Sequence, residues 1–471
     1  MKYKYPILLF ACFIVFLLIY NPAKLYFLSD DFDSILIAQK NANILHSFRP
    51  LSLLSIRLDY LIWGNKAEGY HFTNILFHLL STVVLYVFTK QLYLKIFNSA
   101  ETNQYAFFTS VFFLFYPYHS EPLFWIVGRG GPLCALMSLL SLHFYLKKQE
   151  GFGTYFLSLF FFMAAVLSYE AAWILPLIIT VISLIFAWKD NWSKEWKYIF
   201  LFWTTFMVYL FVRFYLTDQF IGSPYGTHAV LFSGAFSQIR NFVLLVSRSF
   251  IPPAKNSSLF LLYFLVLGVF LFFILFKLKK HCNVILKISI PSFIISILPA
   301  IPFGIDTHDT ESERLLYLPS VFLSISLILI LILLFKKQFL VIFSVLLIAE
   351  ISFLFYNYKS FETSSRIANQ TVKAFFSLRN SDYLYCINLP SQYRGAFIFR
   401  NGFQSAVKLY TEIKNITILS KAEIENPPPG NYNIDYFELN NALEKGLIDS
   451  GKIKVHTVIF NWKEKELDVY K

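Results

Sequence analysis

Apolar runs recur from Tyr5 to Tyr358, separated by short polar turns. Several are long enough to cross a bilayer, which takes about 20 residues of helix. The runs predict helices over about 6–20, 72–88, 105–116 and 125–145. Two more end at Ser168 and Lys189. The rest fall at about 198–216, 259–276, 284–301, 315–335 and a last one ending near Tyr358. This pattern predicts a polytopic α-helical membrane protein with about eleven transmembrane helices by the length rule. Barrel strands would be shorter and would alternate.

The polar breaks sort into two kinds. Turns rich in lysine hold Lys90 and Lys95, Lys147 and Lys148, Lys194 and Lys197, Lys277 to Lys280, and Lys336 with Lys337. The intervening turns hold Asp30, Glu121, Glu170 and Glu313. Counting spans puts the lysines on one side, the positive-inside signature, and the carboxylates on the other. The expected placement is therefore a multi-pass membrane protein with the acidic turns on the extracytoplasmic face, and the membrane is taken to be a bacterial inner one.

Composition agrees. Of 471 residues, 56% are hydrophobic, 20% aromatic and 15% charged; the mean hydropathy is +0.55. A soluble surface would not be so apolar. The formal charge of +12 would suggest nucleic acid in a soluble protein. Here the lysines sit in the turns, so nucleic acid is not expected as a partner. Cys12, Cys134, Cys282 and Cys386 form no CxxC, which argues against a disulfide framework or a zinc site. Lys2 and Lys4 before an apolar run suggest a secretory leader. Tyr20-Asn21-Pro22-Ala23 is a poor cleavage site, so a retained first helix is expected.

Between about 21 and 70 the chain mixes apolar and basic residues, as interfacial helices do. From Thr217 to Ser258 glycines and prolines break the pattern, and 242–250 is too short to span. An external loop with a re-entrant piece is expected there. After Tyr358 the composition turns polar. Strand-like runs at 383–388, 395–399, 416–419 and 455–460, a helical pattern at 436–445 and a break at Pro427-Pro428-Pro429-Gly430 predict a small C-terminal α/β soluble domain. The expected division is thus a transmembrane unit over 1–358 and an extracytoplasmic domain over 359–471.

Four polar constellations carry candidate chemistry. Asp30 and Asp31, with Asp33 beyond, stand just after the first helix. A carboxylate at the membrane edge suits a general base for an acceptor hydroxyl, although two aspartates alone also read as a solvated loop end. His119-Ser120-Glu121 is followed by Trp125 and Arg129. Glu121 suits acceptor or metal orientation and Trp125 suits stacking on a sugar, or simply an interfacial aromatic belt. Glu313-Arg314 precedes Tyr317 at a helix mouth. Arg314 suits bidentate phosphate binding or a snorkelling helix end. Glu170 opens a helix, where a carboxylate also satisfies the helix dipole. His71 and His78 share a helix face, but with no third ligand they read as packing.

The order of these motifs resembles one family. Phe48-Arg49-Pro50-Leu51, Asp59-Tyr60, Gly69-Tyr70-His71, Asn74 and His78 are followed by Pro117-Tyr118-His119-Ser120-Glu121 and Trp125-Ile126-Val127-Gly128-Arg129. Then come Leu167-Ser168-Tyr169-Glu170 and Glu313-Arg314-Leu315-Leu316-Tyr317-Leu318-Pro319-Ser320. Together they resemble the O-mannosyltransferases with transmembrane and tetratricopeptide-repeat regions and their bacterial relatives, over roughly residues 25 to 320 as motif matching goes. The repeats are absent. Gly130-Gly131 stands where the family carries a Lys-Asp pair, and Tyr169 where it carries a lysine.

The resemblance implies the GT-C glycosyltransferase fold, a polyprenyl-phosphate-linked sugar as donor and transfer on the outer face. It implies catalytic roles for Asp30 and Asp31, with Glu121 beside them, and makes Arg314 the phosphate contact, with Arg129 and Arg49 in support. His119, Glu170, Glu313, Tyr317 and Trp125 fall around the acceptor or sugar. The expected reaction is an inverting transfer to a hydroxyl of a protein or glycan. A divalent cation is compatible but not required. The rival readings are a transporter or flippase of lipid-linked glycans, which would carry charges near the midplane in two related halves, a polymerase or ligase of another membrane class, and a scaffold presenting the tail.

Overall fold

The computed structural model describes residues 3–40, 47, 49–94, 97, 99–187, 192–217, 234–254, 258–277, 284–376, 383–387, 389–411, 415–418, 421–422, 455–461 and 466–470. The predicted helix at 436–445 and the break at 427–430 lie outside these residues.

The first helix, α1 (Lys4–Ile19), is apolar all round. Two helices follow in the first loop: α2 (Asp31–Gln39) and α3 (Pro50–Trp63). Leu58, Leu61 and Ile62 of α3 point outward, as an interfacial helix would place them. Next come α4 (Ala67–Tyr93), α5 (Ser99–Phe115), the short α6 (Ser120–Phe124), α7 (Gly130–Leu146), α8 (Phe152–Ser168), α9 (Leu175–Ala187) and α10 (Trp192–Thr217). The remaining helices are α11 (Ala235–Arg248), α12 (Ser258–Lys277), α13 (Val284–Ile297), α14 (Tyr317–Leu334), α15 (Phe339–Phe376) and α16 (Phe403–Tyr410).

Among the described residues five helices are long and apolar enough to cross a membrane: Lys4–Lys24, Ala67–Tyr93, Glu195–Thr217, Glu313–Leu334 and Phe339–Ala374. Pro117–Phe124 and Val127–Leu146, bent by 116° to one another, would make a sixth. The chain is a multi-pass membrane protein. The hydropathy count of about eleven by length includes shorter apolar helices such as Phe152–Ser168 and Val284–Ala300. These fall below the full spanning length.

The span Glu313–Leu334 has 89% of its apolar window buried, whereas Lys4–Lys24 has 17%. The first is therefore the centre of the bundle and the second faces lipid. Serines tie neighbours together where apolar attraction is weak. Ser141 and Ser158 donate to each other's backbone carbonyls across α7 and α8, at 2.8 and 2.7 Å. Ser326 donates to Ser289 across α14 and α13.

The break between α6 and α7 leaves carbonyls that hydrocarbon cannot satisfy. Asn74 of α4 meets one of them, donating to the Trp125 carbonyl at 2.9 Å. On the same helix His78 Nε2 donates to the Leu114 carbonyl near the end of α5 at 3.0 Å. His71 Nε2 donates to Tyr26 at 3.1 Å. The two histidines thus serve backbone carbonyls. Gly128 fits because a Cβ there would lie 2.8 Å from the Glu121 carbonyl oxygen.

α15 continues through Tyr358 to Phe376, so the helix carries on where the composition changes. Beyond it lie the strands β1 (Tyr383–Ile387), β2 (Leu389–Pro390), β3 (Gln392–Tyr393), β4 (Ala396–Phe397), β5 (Asn415–Ile418), β6 (Lys421–Ala422), β7 (Val455–Asn461) and β8 (Glu466–Tyr470). The largest sheet has the order β5-β1-β7-β8; β1 pairs in parallel with β5 and β7, and β7 antiparallel with β8. The segment 391–411, which holds α16, lies against the first loop rather than apart from it.

Candidate active site

The two neighbouring aspartates of the first loop have different surroundings. Asp31 is fully buried. One of its oxygens accepts the Leu28 N–H at 2.9 Å and the other the Val127 N–H at 3.0 Å. Burial pushes its carboxyl up to about 8, while the two amides and Arg129 pull it back. With both oxygens committed to backbone, Asp31 fastens the first loop to the α6–α7 break. That corrects the expectation that either aspartate can act on a substrate.

Asp30 is half-buried. Burial raises its carboxyl above the ordinary range, and Asp33 adds to that; Asn401, Arg314 and Arg400 oppose it. A carboxylate with some solvent access and a raised proton affinity is suited to general base work. Asp33 accepts a hydrogen bond from Ser405 of α16.

Arg314 sits opposite. Its backbone N–H donates to Glu121 at 2.9 Å, and its guanidinium pairs with the other Glu121 oxygen. Its guanidinium carbon lies 5.6 Å from the Trp125 ring centroid. Glu121 is buried, while the Arg314 side chain keeps 29% of its exposure. Glu121 therefore positions Arg314 and leaves part of the guanidinium accessible.

Arg49, at the mouth of α3, is 40% exposed. It donates to Glu170 at 2.8 Å and stacks on Tyr169 at 4.3 Å. Arg213 approaches the other Glu170 oxygen at 3.2 Å. Arg49 and Arg314 lie within electrostatic reach of each other, and both of Tyr169. Gly130 makes room for Tyr169, since a Cβ there would stand 3.3 Å from its ring. The two departures from the family motifs are thus in contact.

The other residues expected at the site are structural. Arg129 is fully buried and donates to Asp59 at 2.6 Å and to the Tyr70 carbonyl at 3.1 Å. Its guanidinium is thus enclosed by protein partners rather than open to the surface. Glu313 is fully buried between Arg248 at 2.7 Å and Ser120 at 2.8 Å. His119 donates to Ser320 at 2.8 Å, and its ring lies 4.3 Å from that of Tyr317. Tyr317 donates to His78 Nδ1 at 2.6 Å. Trp125 gives its indole N–H to the Leu28 carbonyl at 3.2 Å and packs against Phe397, so it has no open face for a sugar. Among the described residues no group of three or more His, Cys, Asp and Glu side chains converges to hold a metal ion.

An apolar groove of about 450 Å³ runs between α8 and α10 and reaches Pro50 and Arg213. Met163, Leu167, Thr204, Val208, Arg213 and Pro50 are among its lining residues. Pro50 adjoins Arg49, so the groove leads to two arginines.

Sequence reasoning missed Arg400, Asn401 and Glu311 at this site. Arg400 pairs with Glu311 and lies 5.1 Å over the Phe397 ring.

Known proteins agree in part. No family model matches the chain. A protein O-mannosyl-transferase of Caenorhabditis elegans is 31% identical over 122 residues, 26% of this chain and 17% of that one. Protein O-mannosyl-transferase TMTC2 of Mus musculus is 35% identical over 101 residues, 21% of this chain and 11% of that one. The match therefore spans under a fifth of these relatives' length. The sequence resemblance to O-mannosyltransferases is shown over that stretch. A crystal structure of ArnT from Cupriavidus metallidurans bound to undecaprenyl phosphate aligns with 98% of this chain and 93% of its own at 11% identity, with a TM-score of 0.49.

Proposed function

We propose that this chain is a GT-C type glycosyltransferase that moves a sugar from a polyprenyl-phosphate donor to a hydroxyl of an extracytoplasmic protein or glycan. The relatives matched by sequence are named protein O-mannosyl-transferases. The observation that carries the reading is the apolar groove leading to Arg213 and the Arg49 turn, with Arg314 and the accessible Asp30 beyond. A long apolar chain fits the groove, a phosphate fits the guanidinium groups, and the reacting carbon then faces a base.

In this mechanism Asp30 accepts the proton of the acceptor hydroxyl. The freed oxygen attacks the anomeric carbon from the side opposite the phosphate. The bond between that carbon and the phosphate oxygen breaks, and the lipid phosphate leaves with its negative charge held by Arg314 and Arg49. The anomeric configuration inverts. Glu121 and Glu170 aim the two arginines, and Asp31 fixes the loop that carries Asp30. A divalent cation is not needed for this balance of charge, and no step runs through one.

The test is a transfer assay in membranes with radiolabelled polyprenyl-phosphate sugars at matched expression. Wild type should move label and invert the anomeric centre. Asp30→Asn should lose turnover, and Arg314→Ala should lose it with weaker donor use. A wild type that consumes no donor, or an Asp30→Asn variant as active as wild type, sinks the reading.

A further inference from the structure

The first loop is held from outside as well as by its own hydrogen bonds. Ser29 has a φ of +49°, in the left-handed region that a residue with a side chain rarely adopts. Its N–H donates to the Ile398 carbonyl at 2.8 Å, and its hydroxyl accepts the Asn401 N–H at 3.2 Å. Both partners belong to the segment after α15. Gly402, at φ +73°, passes so close that a Cβ would lie 2.1 Å from the Ser29 carbonyl oxygen. Phe399 stacks on Phe32 with ring centroids 6.0 Å apart, Ser405 donates to Asp33, and Tyr26 meets Tyr410 at 3.2 Å. Ser29, Asp30, Phe32 and Asp33 are thus each met by a residue between 398 and 405.

The same segment reaches the other wall. Gly395, at φ +81°, packs on Thr310, where a Cβ would stand 2.4 Å from the hydroxyl. Arg400 crosses to Glu311, and its side chain keeps 47% of its exposure. The segment bridges the loop that carries Asp30 and the loop that leads to Arg314.

We propose that segment 391–411 is a built-in wall of the active site and that Arg400 is a positioning residue, holding the Asp30 loop and the Glu311–Arg314 loop in register and supplying positive potential beside the base. The proposal rests on the glycosyltransferase reading of Asp30. The charged groups that face Asp30 are Asp31 and Asp33 on its own helix, Arg314 from the mouth of α14 and Arg400 from the tail, with Asn401 beside it. Removing one cation from this set makes the carboxylate harder to ionise. Removing Glu311, which partly neutralises Arg400, does the reverse.

The experiment measures the pH profile of transfer by the intact chain in vesicles, for wild type, Arg400→Gln, Arg400→Lys and Glu311→Gln. Arg400→Gln should move the acid limb up by about half a pH unit, the modest shift expected of a charge beyond direct contact. Arg400→Lys should restore the wild-type limb, and Glu311→Gln should move it down. A merely structural role would lower activity without moving the limb in opposite directions. If wild type and the Asp30→Asn loss behave as expected but the limb stays fixed in every variant, the proposal is overturned and the glycosyltransferase reading stands. If wild type has no transfer activity, both fall. Should Arg400→Gln fail to accumulate, Glu311→Gln and Arg400→Lys decide alone: a lowered limb in the first with a wild-type limb in the second supports the proposal, and any other pattern overturns it.

Discussion

Glu121 grips Arg314 at two points, accepting its backbone N–H at 2.9 Å with one carboxylate oxygen and its guanidinium with the other. The first bond fixes where the α14 mouth sits against α6. The second fixes where the guanidinium points. Since Glu121 is buried and Arg314 is not, the carboxylate is the holder and the guanidinium is the accessible partner. Glu121→Gln keeps the shape but removes the charge and gives one bond a mismatched donor. A charge-assisted bond contributes roughly 1.5–3 kcal/mol, so turnover should fall about 10- to 100-fold with the protein still folded. Steady-state transfer rates set against thermal unfolding in detergent would check this; unaltered turnover would show that Arg314 needs no such holder.

Asp30 and Asp31 should part company under the same substitution. Asp30→Asn should abolish turnover with little change in stability, because the side chain is accessible. Asp31→Asn turns an amide N–H₂ toward a backbone N–H, leaving a buried donor without an acceptor. That costs about 1–3 kcal/mol and should appear as a lowered unfolding temperature with partial activity. The pH dependence follows from the base. Asp30 must be ionised to accept a proton, and burial raises its proton affinity. The acid limb of the rate should therefore lie above the ordinary aspartate value of about 3.9, with the rate rising as pH increases through it. A limb at or below that value would argue that Asp30 is not the base.

The first loop shows how far the sequence could be read. Its acidic stretch stood out because charge next to a membrane helix is costly. The division of labour inside it did not. Successive residues at a helix start point about 100° apart, so one aspartate turns into the protein and its neighbour turns out. Which does which depends on Val127, 96 positions away. Arg129 shows the same limit: an arginine after a membrane turn looks available until Asp59 and two carbonyls enclose it. The apolar runs located the helices well, because burial in lipid imposes a continuous hydrophobic pattern. Arg400 and Asn401 left no such mark. Their signal was Gly402, directly after Asn401, a glycine that the close approach to Ser29 demands.

Arg248 and Glu313 form a pair with both side chains fully buried. Arg248 also donates to the Asp306 and Ile251 carbonyls, at 3.2 and 2.7 Å, so it fastens α11 to the loop before α14. Removing one partner strands the other charge in the interior, a loss of about 3–5 kcal/mol. Glu313→Ala should therefore reduce the yield of folded protein sharply. The double variant Glu313→Leu with Arg248→Met should recover part of that loss, since no lone charge remains. Thermal unfolding of the three proteins in one detergent would check it. A stable Glu313→Ala protein would mean that water reaches this pair.

Val208 lines the groove between α8 and α10 and is 57% exposed, so a larger side chain there has room and little core to disturb. Val208→Trp would fill part of the space of about 450 Å³ that the proposed function assigns to the donor's lipid tail. The phosphate contacts and Asp30 stay as they were. The expected result is a donor KM about tenfold higher for a long polyprenyl chain, equivalent to about 1.4 kcal/mol, with kcat and unfolding temperature unchanged. A donor with a chain too short to enter the groove should be used equally well by both proteins. This difference between donors separates a tail-binding groove from a general weakening of the enzyme. An equal loss with both donors, or none with either, would place the lipid elsewhere.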